Sequence, residues 1–218
     1  MTRPSTDQII EALASDAQPV RPLPSPHWRA LTALALIGLF GGLAILFLSD
    51  VPQLLSRYAG REEVMTLEMA AMLATGILAV LGAFIVSIPG RSRRWLLAPL
   101  PPFLLWLLLS GLGCYEELLR SGSSGWEVGH SMDCLLFIVA TSLGIGVPLT
   151  WRLARAAPIE PLPVALLGGL GSAALAAFLL QFFHPFAVTF IDLAVHLLAV
   201  LLVIGAAAIL NRRTLSPA

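Results

Sequence analysis

"ALTALALIGLFGGLAILFLS", residues 30–49, runs for twenty residues without a charged side chain. At about 1.5 Å of rise per residue, such a run measures about 30 Å as a helix, the depth of a bilayer's hydrocarbon core. Five further apolar runs, each with at most one carboxylate, follow it: Met65–Ser87, Trp95–Gly113, Met132–Trp151, Pro163–Phe183 and Phe186–Leu210. Lipid offers the backbone no hydrogen bonds, so each run must satisfy its own N–H and C=O groups as a helix. The whole composition agrees: 57% of residues are hydrophobic, 12% are charged, and the mean hydropathy is +0.86. A soluble domain would carry about a quarter charged residues. The expected fold is all-α, a polytopic membrane protein with a six-transmembrane-helix bundle over residues 30–212. It is flanked by an N-terminal tail (1–29) and a short C-terminal tail (213–218).

Arginine sets the orientation, because the chain has no lysine. With the N-terminus inside, ten arginines face the cytoplasm: Arg3, Arg21, Arg29, Arg91, Arg93, Arg94, Arg152, Arg155, Arg212 and Arg213. Only Arg57, Arg61 and Arg120 face outward. Short cytoplasmic loops enriched in arginine place both termini in the cytoplasm, in a bacterial inner membrane. The first run is expected to span rather than be cleaved, since a long, proline-rich segment precedes it. A net charge of zero without a basic cluster argues against direct nucleic-acid binding.

The tail has two parts. In "STDQIIEALASDA", Ser5 stands three residues before Gln8, a capping-box pattern. Ile9, Ile10 and Leu13 form an apolar stripe, with Asp7, Glu11 and Asp16 elsewhere on the helix. A free helix of about a dozen residues is marginal in water and gains order by docking. Membrane-surface helices use Lys and Arg on their polar face, and here that face is acidic, so a protein partner is the better reading. An unfolded tail is the alternative. Pro19, Pro22, Pro24 and Pro26 then make a semi-rigid spacer, and Trp28 stands where an interfacial anchor is expected.

Within the spans, Glu68, Asp133 and Asp192 lie near the outer, N-terminal ends of spans two, four and six, where the helix dipole favours a carboxylate. "HPFAVTFIDLAVHLLAV" (184–200) places His184, Asp192 and His196 close to one helical face. Thr189 precedes Asp192 by three residues, so Asp192 also reads as a capping-box residue and His184–Pro185 as an outer turn. His196 lies deeper, with Asp192 at i−4. The trio reads as structural polar packing, a proton sensor or a metal site, and three ligands make a thin metal case. No cofactor is expected beyond that one candidate ion.

The outer loop "CYEELLRSGSSGWEVGHSMDC" is bounded by Cys114 and Cys134. A disulfide, free thiol sensors and inert buried cysteines all fit. No CxxC or HExxH spacing is present. "LLGGLGSAALAAF" (166–178) is rich in residues that allow close helix approach. Pro101–Pro102 and Pro148 are expected to kink their helices.

Three stretches together resemble a known family, the NrsF-type membrane anti-sigma factors of proteobacteria. They are "TDQIIEALASDAQPVRPL" directly before span one, "GHSMDCLLFIVATSLGIGVPLTWRLARAAPIEP" and "FFHPFAVTFIDLAVHLLAV". The resemblance implies that the cytoplasmic tail holds an extracytoplasmic-function sigma factor at the membrane and releases it on an envelope, oxidative or metal cue. The tail match falls on Ile9, Ile10 and Leu13, with Glu11 and Asp16 beside them. Relatives often carry a second periplasmic cysteine between spans five and six, where this chain has His184–Pro185–Phe186. Cys134 matches the first cysteine position. The departure leaves Cys114, Cys134, Glu68, His184, Asp192 and His196 as candidate sensing groups.

A small transporter or channel is the main alternative. It is disfavoured because the inner halves of the spans carry no charged residue to continue a polar path. No nucleophile–base or metal spacing supports an enzyme.

Overall fold

A computed structural model of the chain describes residues 5–16, 22–49, 52, 62–121 and 129–183, with single positions at 194, 197, 198, 201, 202, 205 and 209. Among these the fold is all-helical. It comprises α1 (Thr6–Asp16), α2 (Pro26–Leu48), α3 (Glu62–Val86), α4 (Leu100–Ser121), α5 (Gly129–Ala154) and α6 (Pro161–Leu180), with a 3-10 turn over Arg93–Leu96. The last five helices are long and apolar enough to cross a membrane. The sixth expected run, Phe186–Leu210, lies outside the described residues except for helical positions Ala194, Leu197, Leu198, Leu201, Leu202, Gly205 and Ile209.

The core is the antiparallel pair α3 and α6, the most extensively packed helices. Small residues make this possible. A Cβ added at Gly171 would meet Val80 Cγ2 at 2.8 Å and the Val80 backbone nitrogen at 3.2 Å. One added at Gly76 would meet Leu175 Cγ at 2.6 Å. With no hydrophobic drive between helices in lipid, such close backbone approach supplies the van der Waals attraction that holds them. The glycine- and alanine-rich stretch of span five therefore becomes the most buried helix, with thirteen of its positions from Val164 to Leu180 buried. Ala79, Val80, Ala83 and Phe84 of α3 face it. Two buried hydroxyls of this pair are satisfied within their own helices: Thr75 Oγ1 donates to Ala71 O at 2.7 Å and Ser172 Oγ to Gly169 O at 3.0 Å.

The other helices pack around this pair. α5 lies along α6, where Gly168 faces Leu153 and Gly146 faces Ser172. α4 packs on α3 through Trp106 against Ala71 and Met72. α2 touches the pair through Gly41, which faces Leu179, but most of its large side chains are exposed. It leaves an apolar groove of about 620 Å³ against α3 and α6. All-round hydrophobicity without burial in α2 is the pattern of a helix long and apolar enough to cross a membrane.

Proline placement differs from the sequence expectation in one helix. α4 starts at Leu100, so Pro101 and Pro102 fall in its first turn, where the missing N–H groups have no helical partner anyway. They start the helix rather than bend it. The 3-10 turn, capped by the Ser92 side chain on Arg94 N at 3.3 Å, takes up Trp95 and Leu96, the first two residues of the apolar run Trp95–Gly113. Pro148 does lie inside α5.

The contacts also order the ends. The start of α2, the end of α3, the 3-10 turn, the end of α5 and the start of α6 meet at one end of the bundle. Arg29 reaches Arg152 and Phe84, and Arg93 pairs with Glu160. Arg29, Arg91, Arg93, Arg94, Arg152 and Arg155 thus belong to one end, as alternating spans require. Glu68, Ser110, Cys114 and Gln181 belong to the other.

Candidate functional site

The tail helix α1 is built as its sequence suggests. Ser5 Oγ accepts from Gln8 N at 3.3 Å, and Gln8 Oε1 accepts from Ser5 N at 3.0 Å. This reciprocal capping box satisfies two donors that a helix start otherwise leaves open. Asp7 adds a negative charge to the first turn, where the helix dipole favours it. Ser15 Oγ donates back to Ala12 O at 2.9 Å near the other end.

Among the described residues, nothing covers this helix. All its residues are exposed, with Ile9 at 45%, Ile10 at 59% and Leu13 at 68%. Exposed isoleucine and leucine are expected on spans that face lipid. On a helix outside the spans they form an apolar stripe in water. Full burial of such a side chain is worth about 1.5–3 kcal/mol, so three of them constitute a docking face in need of a partner. Glu11 and Asp16, also exposed, border the stripe with negative charge.

The spacer after it ends in a second cap. Residues 22–25 are non-helical, and Ser25 Oγ accepts from Trp28 N at 3.4 Å, with Pro26 opening α2. Trp28 is exposed and Arg29 buried, so α2 begins at the level of an interfacial aromatic. The span starts four residues earlier than hydropathy alone indicates, because Trp28 and Arg29 are tolerated in the first turn of an interfacial helix.

At the opposite end, Glu68 lies in the second turn of α3 and accepts a hydrogen bond from Ser110 Oγ of α4 at 2.5 Å. The dipole account of Glu68 is therefore incomplete; a specific donor on a neighbouring helix holds it. Ser110 was not singled out by sequence, although a lone serine in a leucine-rich run is a recognisable signal of interhelical pairing. Gln181 Nε2 approaches Met72 Sδ at 4.0 Å, and the Phe137 and Phe183 rings pack at 5.5 Å. Cys114 is buried on α4. Cys134 lies in α5 with its side chain outside the described residues, as are His184, Asp192 and His196 in full. Among the described residues, no group of three His, Cys, Asp or Glu side chains could hold a metal ion.

The candidate sites are thus of two kinds. α1 presents an exposed apolar and acidic face suited to binding a protein. The end of the bundle opposite the arginines carries a polar link between helices, Glu68–Ser110.

No curated protein and no solved structure matches the chain. The family model NrsF, negative regulator of sigma F, matches residues 13–216; the match takes in Leu13 and the whole bundle and leaves Ile9 and Ile10 before its start. Spanning nearly the full length, it establishes that the chain belongs to the NrsF family.

Proposed function

We propose that this chain is an inner-membrane anti-sigma factor. It sequesters an extracytoplasmic-function sigma factor through the tail helix α1 and releases it when a cue arrives on the periplasmic side. Membership of a family of negative regulators of sigma F supports a sigma factor as the partner class. The observation that carries the reading is the pre-capped, wholly exposed α1 with its Ile9, Ile10 and Leu13 stripe. An amphipathic helix of this kind docks its apolar face into a groove, and its acidic flank (Asp7, Glu11, Asp16) suits a groove rimmed by basic residues.

The remainder of the scheme follows from the arginine distribution. It supports α1 and both termini in the cytoplasm, where a sigma factor is found, with Glu68, Cys114 and Cys134 toward the periplasm. Envelope, oxidative or metal stress would act on that side. Cys114 and Cys134, with Glu68, His184, Asp192 and His196, are the residues proposed to sense it, with metal binding at His184, Asp192 and His196 as one form of the cue. The bundle serves as membrane anchor and as the link between the two sides.

The experiment is co-purification. The intact chain, extracted in mild detergent, should carry the sigma factor with it, and the chain lacking residues 1–18 should not. Equal recovery with both chains would overturn the proposal.

A further inference from the structure

The junction of α2 and α5 gathers more positive charge than its packing contacts account for. Arg29 is only 8% exposed. Its Nη2 donates to Arg152 O at 2.7 Å, which satisfies a carbonyl in the last turn of α5, and its guanidinium lies 5.1 Å from the Phe84 ring centre. Its Nη1 is buried without a hydrogen-bond partner among the described residues. Arg152 Nη2 donates to Thr32 Oγ1 at 3.1 Å, which returns the charge to the same corner. Arg155 stacks on Trp151 at 3.8 Å, and both Arg152 and Arg155 are near enough to repel Arg29.

Capping α5 explains one cation, since a positive charge is favourable at a helix C-terminus. It does not explain three. Among the described residues none of the three pairs with a carboxylate; Glu160, at the same end, is taken by Arg93. The exposed rings of Trp28 and Trp151, next in sequence to Arg29 and Arg152, put the cluster at headgroup depth. Guanidinium groups recognise phosphate through paired N–H donors, and basic pockets between membrane helices take anionic headgroups.

We propose that Arg29, Arg152 and Arg155 form a phosphate-binding site at the junction of α2 and α5. Arg152 and the exposed Arg155 contact the phosphate oxygens, and buried Arg29 supplies positive potential beneath them. The phosphate comes from an anionic phospholipid headgroup or from free phosphate. This inference rests on the helices crossing a bilayer, and it is independent of sigma-factor binding by α1.

The test uses the full chain in detergent micelles, titrated separately with phosphatidylglycerol, phosphatidylcholine and inorganic phosphate. Thermal midpoint and lipid retention in native mass spectrometry are the readouts. Phosphatidylglycerol should bind about tenfold more tightly than phosphatidylcholine. Arg152→Gln with Arg155→Gln should abolish that preference, and Arg155→Gln alone, which leaves the Thr32 contact intact, should reduce it. Arg93→Gln, at the same end but outside the cluster, should leave it unchanged. Stabilisation by phosphatidylglycerol alone identifies a headgroup site, and stabilisation by inorganic phosphate as well identifies a soluble-anion site. Equal binding of the two lipids without a phosphate effect overturns the proposal, as does an equal loss in Arg93→Gln. A chain that stays in solution without detergent would instead undo the bilayer reading on which the site rests.

Discussion

α6 and α1 are both helices rich in aliphatic residues, and they end in opposite situations. Thirteen positions of α6 are buried, and no position of α1 is. The difference is not one of hydrophobicity alone. α6 is buried because Gly168, Gly169, Gly171 and its alanines let α3 and α5 come close. α2, with as many leucines as α6, stays mostly exposed along the same bundle. In a membrane, large apolar side chains satisfy the solvent and small ones select the partner. In the tail the logic reverses, and the large apolar side chains Ile9, Ile10 and Leu13 are the ones that demand a partner. On the proposed function, the same residue types mean anchorage in one region and recognition in the other.

This contrast assigns different consequences to changes in the two regions. Ile10→Asp with Leu13→Asp should weaken sigma-factor binding by roughly a hundredfold or more, given the burial energy of two such side chains. The thermal midpoint of the bundle should stay unchanged, as both residues are exposed. Titration of the sigma factor alongside a melting curve checks both halves. Gly171→Val should do the reverse. Its side chain meets the Val80 backbone, so the bundle should lose about 1–3 kcal/mol, read as a lowered midpoint in detergent, with binding by α1 retained.

Two smaller effects refine the picture. Ser5→Ala removes half of the capping box and should cost about 1 kcal/mol of α1 stability. Since α1 must be helical to dock, affinity should fall about fivefold, and circular dichroism of the bound and free forms should locate the loss in helix formation. Ser110→Ala deletes the donor to Glu68 and should cost only about 0.6 kcal/mol, the scale of single hydrogen bonds between membrane helices. A change in sigma-factor release at the outer stimulus, without a matching change in stability, would mark Glu68–Ser110 as part of the signal path.

Much of this was legible in the residues. Five of the six apolar runs coincide with helices long and apolar enough to cross a membrane, and the sixth lies largely outside the described residues; the Ser5–Gln8 spacing identified the capping box, and the small residues of 166–178 identified the packing helix. Helix ends were less legible, because hydropathy reports the lipid core and not where a chain may stay helical at the interface. Thus Trp28 and Arg29 joined α2, and Trp95 and Leu96 left α4. The partners of Arg29 and Glu68 were hidden for a different reason. Each is held by a residue more than forty positions away, Arg152 and Ser110, and no local pattern encodes that distance.

The central claim is that α1, and not the bundle, captures the sigma factor. Hydrogen exchange on the full chain in detergent, with and without the sigma factor, tests it most directly. Exposed α1 should exchange quickly in the free chain, and its amides from Thr6 to Asp16 should become protected on binding while those of α3 and α6 do not change. Protection that appears on the loops of the bundle and leaves residues 6–16 as fast as before would contradict the account.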